Sequence, residues 1–286
     1  MKIFKQIESY KKRIAIVSNN EQFTYGYLIE RSNLIASFLL NNKQDLMEEK
    51  IGLLMNPNID YICTLWGIWK AGGVAVPLSI SAKKDELKHY ISDCDIKLII
   101  SSNTYGNHHV IPKFNGLNVI EIEEINIKEK KHLPSIKSER KAMILYTSGT
   151  TNKPKGVVST HMNVESQITT LVEAWEWNQE DHIPLFLPLH HIHGIINSLS
   201  CPLFIGAKVT MMGPFDTEKV CSQVASNDFT VFTAVPTIYF SLIEKLESSN
   251  NKKLLEGFKK MRLMMSGSAA LAPEIHKKWK ELTGKE

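Results

Sequence analysis

Apolar and polar positions along the 286-residue chain alternate between short β-branched runs and stretches with helical spacing. Residues 13–17 (RIAIV) and 22–25 (QFTY) flank a polar SNNE, and Asn19 and Asn20 predict a hairpin turn there. Leu28, Leu34, Ile35, Phe38 and Leu39 then fall on one helical face. The run 50–55 (KIGLLM) reads as a buried strand. Asn56 and Pro57 predict a cap and a first-turn proline for a helix whose apolar stripe is Ile59, Ile62, Cys63, Trp66 and Trp69. Gly72 and Gly73 end it. Strands are expected at 74–78, 96–101, 117–122 and 142–148, with a helix at 83–93 and a charged surface connection over 126–141. Further on come a helix at about 161–175, a strand at 183–189, a helix at 194–204, a strand at 207–212 and a helix at 216–226. A strand at 229–235, a helix from Pro236, a strand at 261–266 and a helix from Pro273 follow. Strands alternating with helices predict an α/β fold with mostly parallel sheets flanked by helices.

Composition changes this picture little. The 34 basic and 30 acidic residues leave a net charge of +4, too mild to imply a nucleic-acid partner. The lysine-rich runs at 11–13, 128–131 and 252–253 read as solvated faces. Cys63, Cys94, Cys201 and Cys221 lie far apart, without metal-clasp spacing or a disulfide framework, which fits a reducing cytoplasm. The first thirteen residues do not read as a signal peptide. The longest apolar stretch, 61–78, is interrupted by Lys70 and a glycine pair, so no membrane span is expected.

The chemistry concentrates in residues 146–157, YTSGTTNKPKGV. A Walker A loop places its second glycine before the lysine and opens onto a helix. Here Gly156 follows Lys155, Pro154 biases Lys153 away from helical angles, and 157–160 (VVST) reads as another strand. The segment is therefore expected to turn between two strands and to cradle an anion. The contacts would come from the hydroxyls of Thr147, Ser148, Thr150 and Thr151, from amides freed by Gly149, and from Lys155. His190, His191 and His193 form a second cluster. If that segment is extended, His191 and His193 point the same way, as two zinc ligands would, yet no third ligand of fitting spacing is evident.

On these residues the chain resembles the AMP-forming adenylating superfamily of acyl-CoA synthetases, luciferases and peptide-synthetase adenylation domains. Residues 146–156 match its signature [YF]-T-S-G-[ST]-T-G-x-P-K-G at all but one defined position, Asn152 standing where the family has glycine. WKAGGVAVPL (69–78), LPLHHIHG (187–194) and SGSAAL (266–271) are similar to its other motifs, in the same order. The surroundings look most like malonyl-CoA synthetases.

The resemblance implies ATP as nucleotide, Mg²⁺ as its metal and coenzyme A as co-substrate, with a small-molecule carboxylate as the partner to be activated. It implies that Thr147, Ser148, Gly149, Thr150, Thr151, Asn152, Lys153, Lys155 and Gly156 grip the phosphates. It further implies that Ser266, Gly267, Ser268, Ala269 and Ala270 line the adenine slot, and that His191 and Lys155 serve catalysis. His193 would lie near the substrate, and Arg262 would anchor the second carboxylate of malonate, since an arginine fork matches a carboxylate.

By the same resemblance, 1–286 is a partial N-terminal AMP-binding domain that stops before the R-Y-G-x-T-E segment. The parts with the Mg²⁺-binding glutamate, the ribose-binding aspartate, the C-terminal lysine and the small C-terminal domain are absent. Loss of even one oxyanion-type donor costs roughly 10²–10³ in rate, so the isolated chain is expected to be incomplete or inactive as an acid–thiol ligase. A downstream polypeptide could complete it. A non-catalytic nucleotide-binding remnant and an unrelated α/β protein with a zinc site at the histidines are the competing readings.

Overall fold

The computed structural model describes residues 2–102, 111, 115–126, 129–147, 153–249 and 251–285. Helix α1 (Lys2–Ile7) leads into the hairpin of strands β1 (Ile14–Ser18) and β2 (Glu21–Thr24). Asn19 and Asn20 take positive φ values of 51° and 66° at its two-residue turn, the geometry that matches strand twist and that asparagine tolerates. Thr24 caps helix α2 (Tyr25–Leu40), its hydroxyl accepting the Tyr27 N–H at 3.2 Å. Strand β3 (Lys50–Leu54) and helix α3 (Ile59–Lys70) follow. The cap of α3 is Asn58, not the expected Asn56: the Asn58 side chain accepts from the Tyr61 N–H at 3.1 Å. Pro57 accordingly precedes the helix instead of lying in its first turn.

Strands β4 (Val74–Pro77), β5 (Leu98–Ser101), β6 (Asn118–Glu121), β7 (Lys141–Thr147) and β8 (Lys155–Thr160) join β3 in a six-stranded sheet. Its order is β6-β5-β3-β4-β7-β8, parallel except for the antiparallel β7–β8 pair. The two-residue side-chain period divides this sheet between two cores. Ile51, Leu53, Ala75, Ile100, Met143 and Leu145 face the main core with α2 and α3. Leu54, Val74, Val76, Ile99 and Ile144 face a smaller core under helix α4 (Lys84–Cys94).

After helix α5 (His161–Ala174), strands β9 (His182–Leu185) and β10 (Lys208–Met211) extend the first hairpin into a four-stranded sheet, order β2-β1-β10-β9. A π-helical stretch (His193–Ser200) and helix α6 (Cys201–Ile205) connect them. Helix α7 (Thr217–Ser226), strand β11 (Val231–Ala234), helices α8 (Pro236–Ser248) and α9 (Lys252–Lys260), strand β12 (Leu263–Ser266) and helix α10 (Pro273–Thr283) complete the described chain. The solvated lysines at 252–253 thus open a helix, with Leu254 and Phe258 buried one turn apart. Strands β11 and β12 pair in parallel as a third sheet, tied to β9 by the Thr230 N–H donating to the His182 carbonyl at 2.9 Å. No helix among the described residues is long and apolar enough to cross a membrane. All four cysteines are free and buried.

Candidate active site

Parallel strands point their C-terminal ends the same way, and ligands of open α/β sheets bind beyond those ends. Here the ends of β3, β4, β7, β9, β11 and β12 converge on one cleft of about 910 Å³. Its walls include Met55, Leu78, Thr147, Phe186, Val235 and Ser268, each at or just past a strand terminus.

The two strands that flank the segment predicted to hold an anion border this cleft, through Tyr146 and Thr147 on β7 and Val157 and Ser159 on β8. Strands β7 and β8 pair antiparallel from Lys141↔Thr160 to Thr147↔Lys155, so among the described residues β7 is followed by a strand running back along it, as expected, and not by a helix. Thr147 lines the cleft, and Lys153, Lys155 and Gly156 lie exposed on the β8 side. Ser148, Gly149, Thr150, Thr151 and Asn152 lie outside the described residues.

The histidine segment leaves β9 at Leu185 and turns before its π-helical stretch. Serines support that wider winding: Ser198 Oγ donates to the His193 carbonyl at 3.2 Å and Ser200 Oγ to the Ile195 carbonyl at 2.6 Å. Gly194 is required at the turn, because a Cβ there would stand 2.3 Å from the Pro188 carbonyl oxygen. The Tyr61 hydroxyl donates to the Leu189 carbonyl from α3. The segment is therefore not extended, and His191 and His193 do not form a zinc pair. His191 is exposed at the cleft with its ring 4.2 Å from that of His190. His193 is buried, with Nε2 2.6 Å from Thr233 Oγ1 and Nδ1 3.0 Å from Ser268 Oγ. Among the described residues, no group of three or more metal-ligating side chains is placed to hold an ion. Burial pushes the His193 imidazole below its ordinary range, and burial followed by the charge of His191 pushes His190 to about 4. Both are neutral near pH 7. A neutral ring offers one donor and one acceptor, which the hydroxyls of Thr233 and Ser268 can match by rotation.

Through His193 the structure joins the histidine motif to the small-residue motif behind β12. Gly267 N–H donates to the Ala234 carbonyl at 3.0 Å, and Ser268 takes the left-handed conformation, φ 68°. A Cβ on Gly267 would stand 3.0 Å from His193 Cε1, so a small residue is needed for this approach. Ser268 faces the cleft. Ser266 instead lines a second cavity of about 400 Å³ with Tyr239, Met264, His276 and Trp279, and Ala269 and Ala270 are exposed. Sequence reasoning missed Thr233 as the partner of His193. The available signal was a hydroxyl at an inward position of the apolar run 231–234.

Arg262 is not brought to the cleft. Its Nε and Nη2 donate to the two carboxylate oxygens of Asp181 at 2.8 and 2.6 Å, and its Nη1 donates to the Trp175 carbonyl at 3.0 Å. Asp181 also accepts from Thr230 Oγ1 at 2.7 Å and from the Asn178 N–H at 2.9 Å. The fork expected to hold malonate already grips a buried carboxylate of the protein itself, and the malonate-anchoring role loses its geometric basis. Among the described residues, the cleft wall contains no lysine, arginine, aspartate or glutamate.

Comparison with known proteins agrees with this geometry. The family model "AMP-binding enzyme" matches residues 3–286. The mitochondrial malonate–CoA ligase ACSF3 of Xenopus laevis is 34% identical over 305 residues, which cover 99% of this chain and 53% of that protein. The crystal structure of apo MatB from Rhodopseudomonas palustris superposes with a TM-score of 0.85 at 25% identity, covering 99% of this chain and 57% of that one. A malonyl-CoA ligase ternary product complex with methylmalonyl-CoA and AMP bound gives 0.83 at 26% identity, covering 96% of this chain and 56% of that one. The chain spans about half the length of the relatives it matches. With that match over residues 3–286, and with Thr147, the histidine segment and Ser268 bordering one cleft, the chain belongs to the AMP-binding enzyme family.

Proposed function

We propose that the protein of which this chain forms a part activates a carboxylic acid with ATP. A carboxylate oxygen attacks the α-phosphorus and the bond to pyrophosphate breaks; the sulfur of coenzyme A then attacks the acyl carbon, loses its proton, and AMP leaves as the acyl–phosphate bond breaks. One observation carries this reading: Thr147, His191, His193 and Ser268 meet in one cleft at the C-terminal ends of the strands. Charge accumulates on phosphoryl oxygens during in-line displacement, so hydroxyl, amide and ammonium donors fixed beforehand contribute most of the catalysis. Lys155 is the nearby ammonium on the β8 side, and His191 is the imidazole exposed to the reacting groups. Mg²⁺ fits the described walls poorly, since no carboxylate lines them, and no step is assigned to it.

Two observations bear on the acid. Kinship favours malonate, for which relatives are named. The described walls favour an uncharged tail: Met55, Leu78, Ile80, Phe186 and Phe215 are apolar, and a second carboxylate left unpaired among them costs several kcal/mol. A monocarboxylic acid fits those walls without a further cation. Strand β12 has a strand neighbour on one side only among the described residues, which leaves an edge for a downstream polypeptide to complete the site. The test is ATP–pyrophosphate exchange by the chain, alone and with any polypeptide encoded downstream, with malonate or butyrate as acid. Butyrate-dependent exchange exceeding malonate-dependent exchange supports the monocarboxylate, and the reverse ratio restores malonate. Nucleotide binding without exchange under any condition supports the non-catalytic remnant instead.

A further inference from the structure

Helix α4 presents His89, Tyr90, Asp93 and Cys94 along one face, at the spacing that brings side chains together on a helix. These residues meet both shoulders of the β7–β8 turn. On the entry shoulder, the Tyr146 ring packs on Tyr90 with centroids 4.2 Å apart and meets His89 edge-on at 5.9 Å. The Tyr146 hydroxyl donates to Asp93 Oδ2 at 2.7 Å and lies 3.0 Å from Cys94 Sγ. On the exit shoulder, His89 Nε2 lies 2.8 Å from the Pro154 carbonyl oxygen. A carbonyl can only accept, so Nε2 carries the proton in this contact. Pairing of β8 with β7 begins at Lys155, one residue after that carbonyl.

We propose that His89 is a positioning residue for nucleotide binding. It holds the Pro154 carbonyl and so fixes Lys155 opposite Thr147, while Tyr146, Tyr90 and Asp93 fix the other side of the same turn. Helix α4 thereby acts as a clamp on the strand ends that deliver the phosphate contacts. This inference rests on the reading that the turn binds the β- and γ-phosphates of ATP. The clamp's hydrogen bonds and ring contacts described above go to Tyr146 on β7 and to Pro154 just before β8, on the two sides of the phosphate turn, so its effect is directed to the polyphosphate end of the nucleotide.

The experiment compares ATP and AMP binding to the full chain by titration calorimetry, with urea midpoints measured alongside. His89→Phe keeps a ring against Tyr146 and removes the donor, and His89→Gln restores an N–H of similar reach. The expected result is an ATP Kd raised about tenfold in His89→Phe, the worth of one hydrogen bond of about 1.4 kcal/mol. The AMP Kd should change less than twofold, and His89→Gln should return ATP binding to within about threefold of the parent. Equal weakening of ATP and AMP in His89→Phe, or unchanged ATP binding, overturns the positioning role. So does a loss in His89→Gln that matches the loss in His89→Phe. If the parent chain binds neither nucleotide, the phosphate-binding reading itself fails, which a selective loss in the variants cannot mimic.

Discussion

Arg262→Ala separates two accounts of one side chain. In the structure Asp181 is buried, its side chain 1% exposed, and Arg262 covers it with a side chain 31% exposed. Removing one partner of a buried ion pair costs about 3–5 kcal/mol, because the remaining charge is left uncompensated. Two features reduce that figure here. The guanidinium is partly solvated, and Asp181 keeps its bonds from Thr230 and Asn178. A loss of about 2–3 kcal/mol near pH 7 is therefore expected. Burial alone would raise the Asp181 pKa, but the bonds from Arg262, the Asn178 amide and Thr230, with the charge of Arg262, outweigh it and hold the carboxyl below its ordinary value. In the parent, the ionised carboxylate contributes stability above its unfolded pKa, and that contribution is lost as the pH falls through the lower folded pKa. In the variant burial is opposed less, the folded pKa rises, and protonation relieves the strain. The penalty of the substitution should thus shrink as the pH falls from 7 toward 4. Urea unfolding followed by tryptophan fluorescence reads both effects. Asp181→Asn added to Arg262→Ala should recover at least about 1 kcal/mol at pH 7, since the stranded charge is gone. An unchanged urea midpoint in Arg262→Ala, with malonate-dependent exchange lost and butyrate-dependent exchange kept, would refute this reasoning and reinstate the arginine as a substrate anchor.

Two further outcomes are expected. Gly194→Ala must move backbone, since its nearest obstacle is the Pro188 carbonyl oxygen at 2.3 Å, and should cost about 2 kcal/mol in urea unfolding while weakening ATP binding through the displaced His190–His191 turn. Unchanged stability and binding would mean the π-helical start is not tightly packed. Burial pushes His161 to about 4 and His182 to about 3, both below the value of about 6.5 in the unfolded chain. The folded chain then binds fewer protons than the unfolded chain below that value, so stability falls as the pH drops, by about 2 kcal/mol per histidine at pH 5. His161→Phe should remove one histidine's share of the loss between pH 7 and 5, and an unaltered pH slope would contradict it.

Much of this architecture was legible because it depends on periods of two and of about four residues. The hairpin at Asn19–Asn20, the strands of the six-stranded sheet and the direction of the β7–β8 turn follow from neighbours within ten residues. The misplaced cap shows the limit of even local reasoning. Asn56 and Asn58 are the same residue type two positions apart, and the helix starts where the Asn58 side chain reaches the Tyr61 amide. The π-helical winding of 193–200 was read as an ordinary helix for a similar reason. The apolar run reads as helical in either winding, and the serine-to-carbonyl bonds that favour the wider one are visible only once the backbone is placed.

The site residues divide along the same line. Thr147 and His191, singled out from patterns within their own segments, both line the cleft. Partners distant in sequence were not legible. Arg262 meets Asp181 across 81 positions, His193 meets Ser268 across 75, and His89 meets Pro154 across 65. An arginine is a carboxylate fork wherever it stands, and the sequence alone does not say whether the carboxylate belongs to a ligand or to the chain. The buried aspartate decides it, because Asp181 could not remain ionised and 2% exposed without such a partner. A buried acid therefore has first claim on a nearby arginine, and a substrate's second carboxylate must be matched by a cation that no internal acid already holds. Among the described residues lining the cleft no such cation exists, and that physical constraint makes the butyrate-to-malonate exchange ratio the measurement on which the substrate class turns.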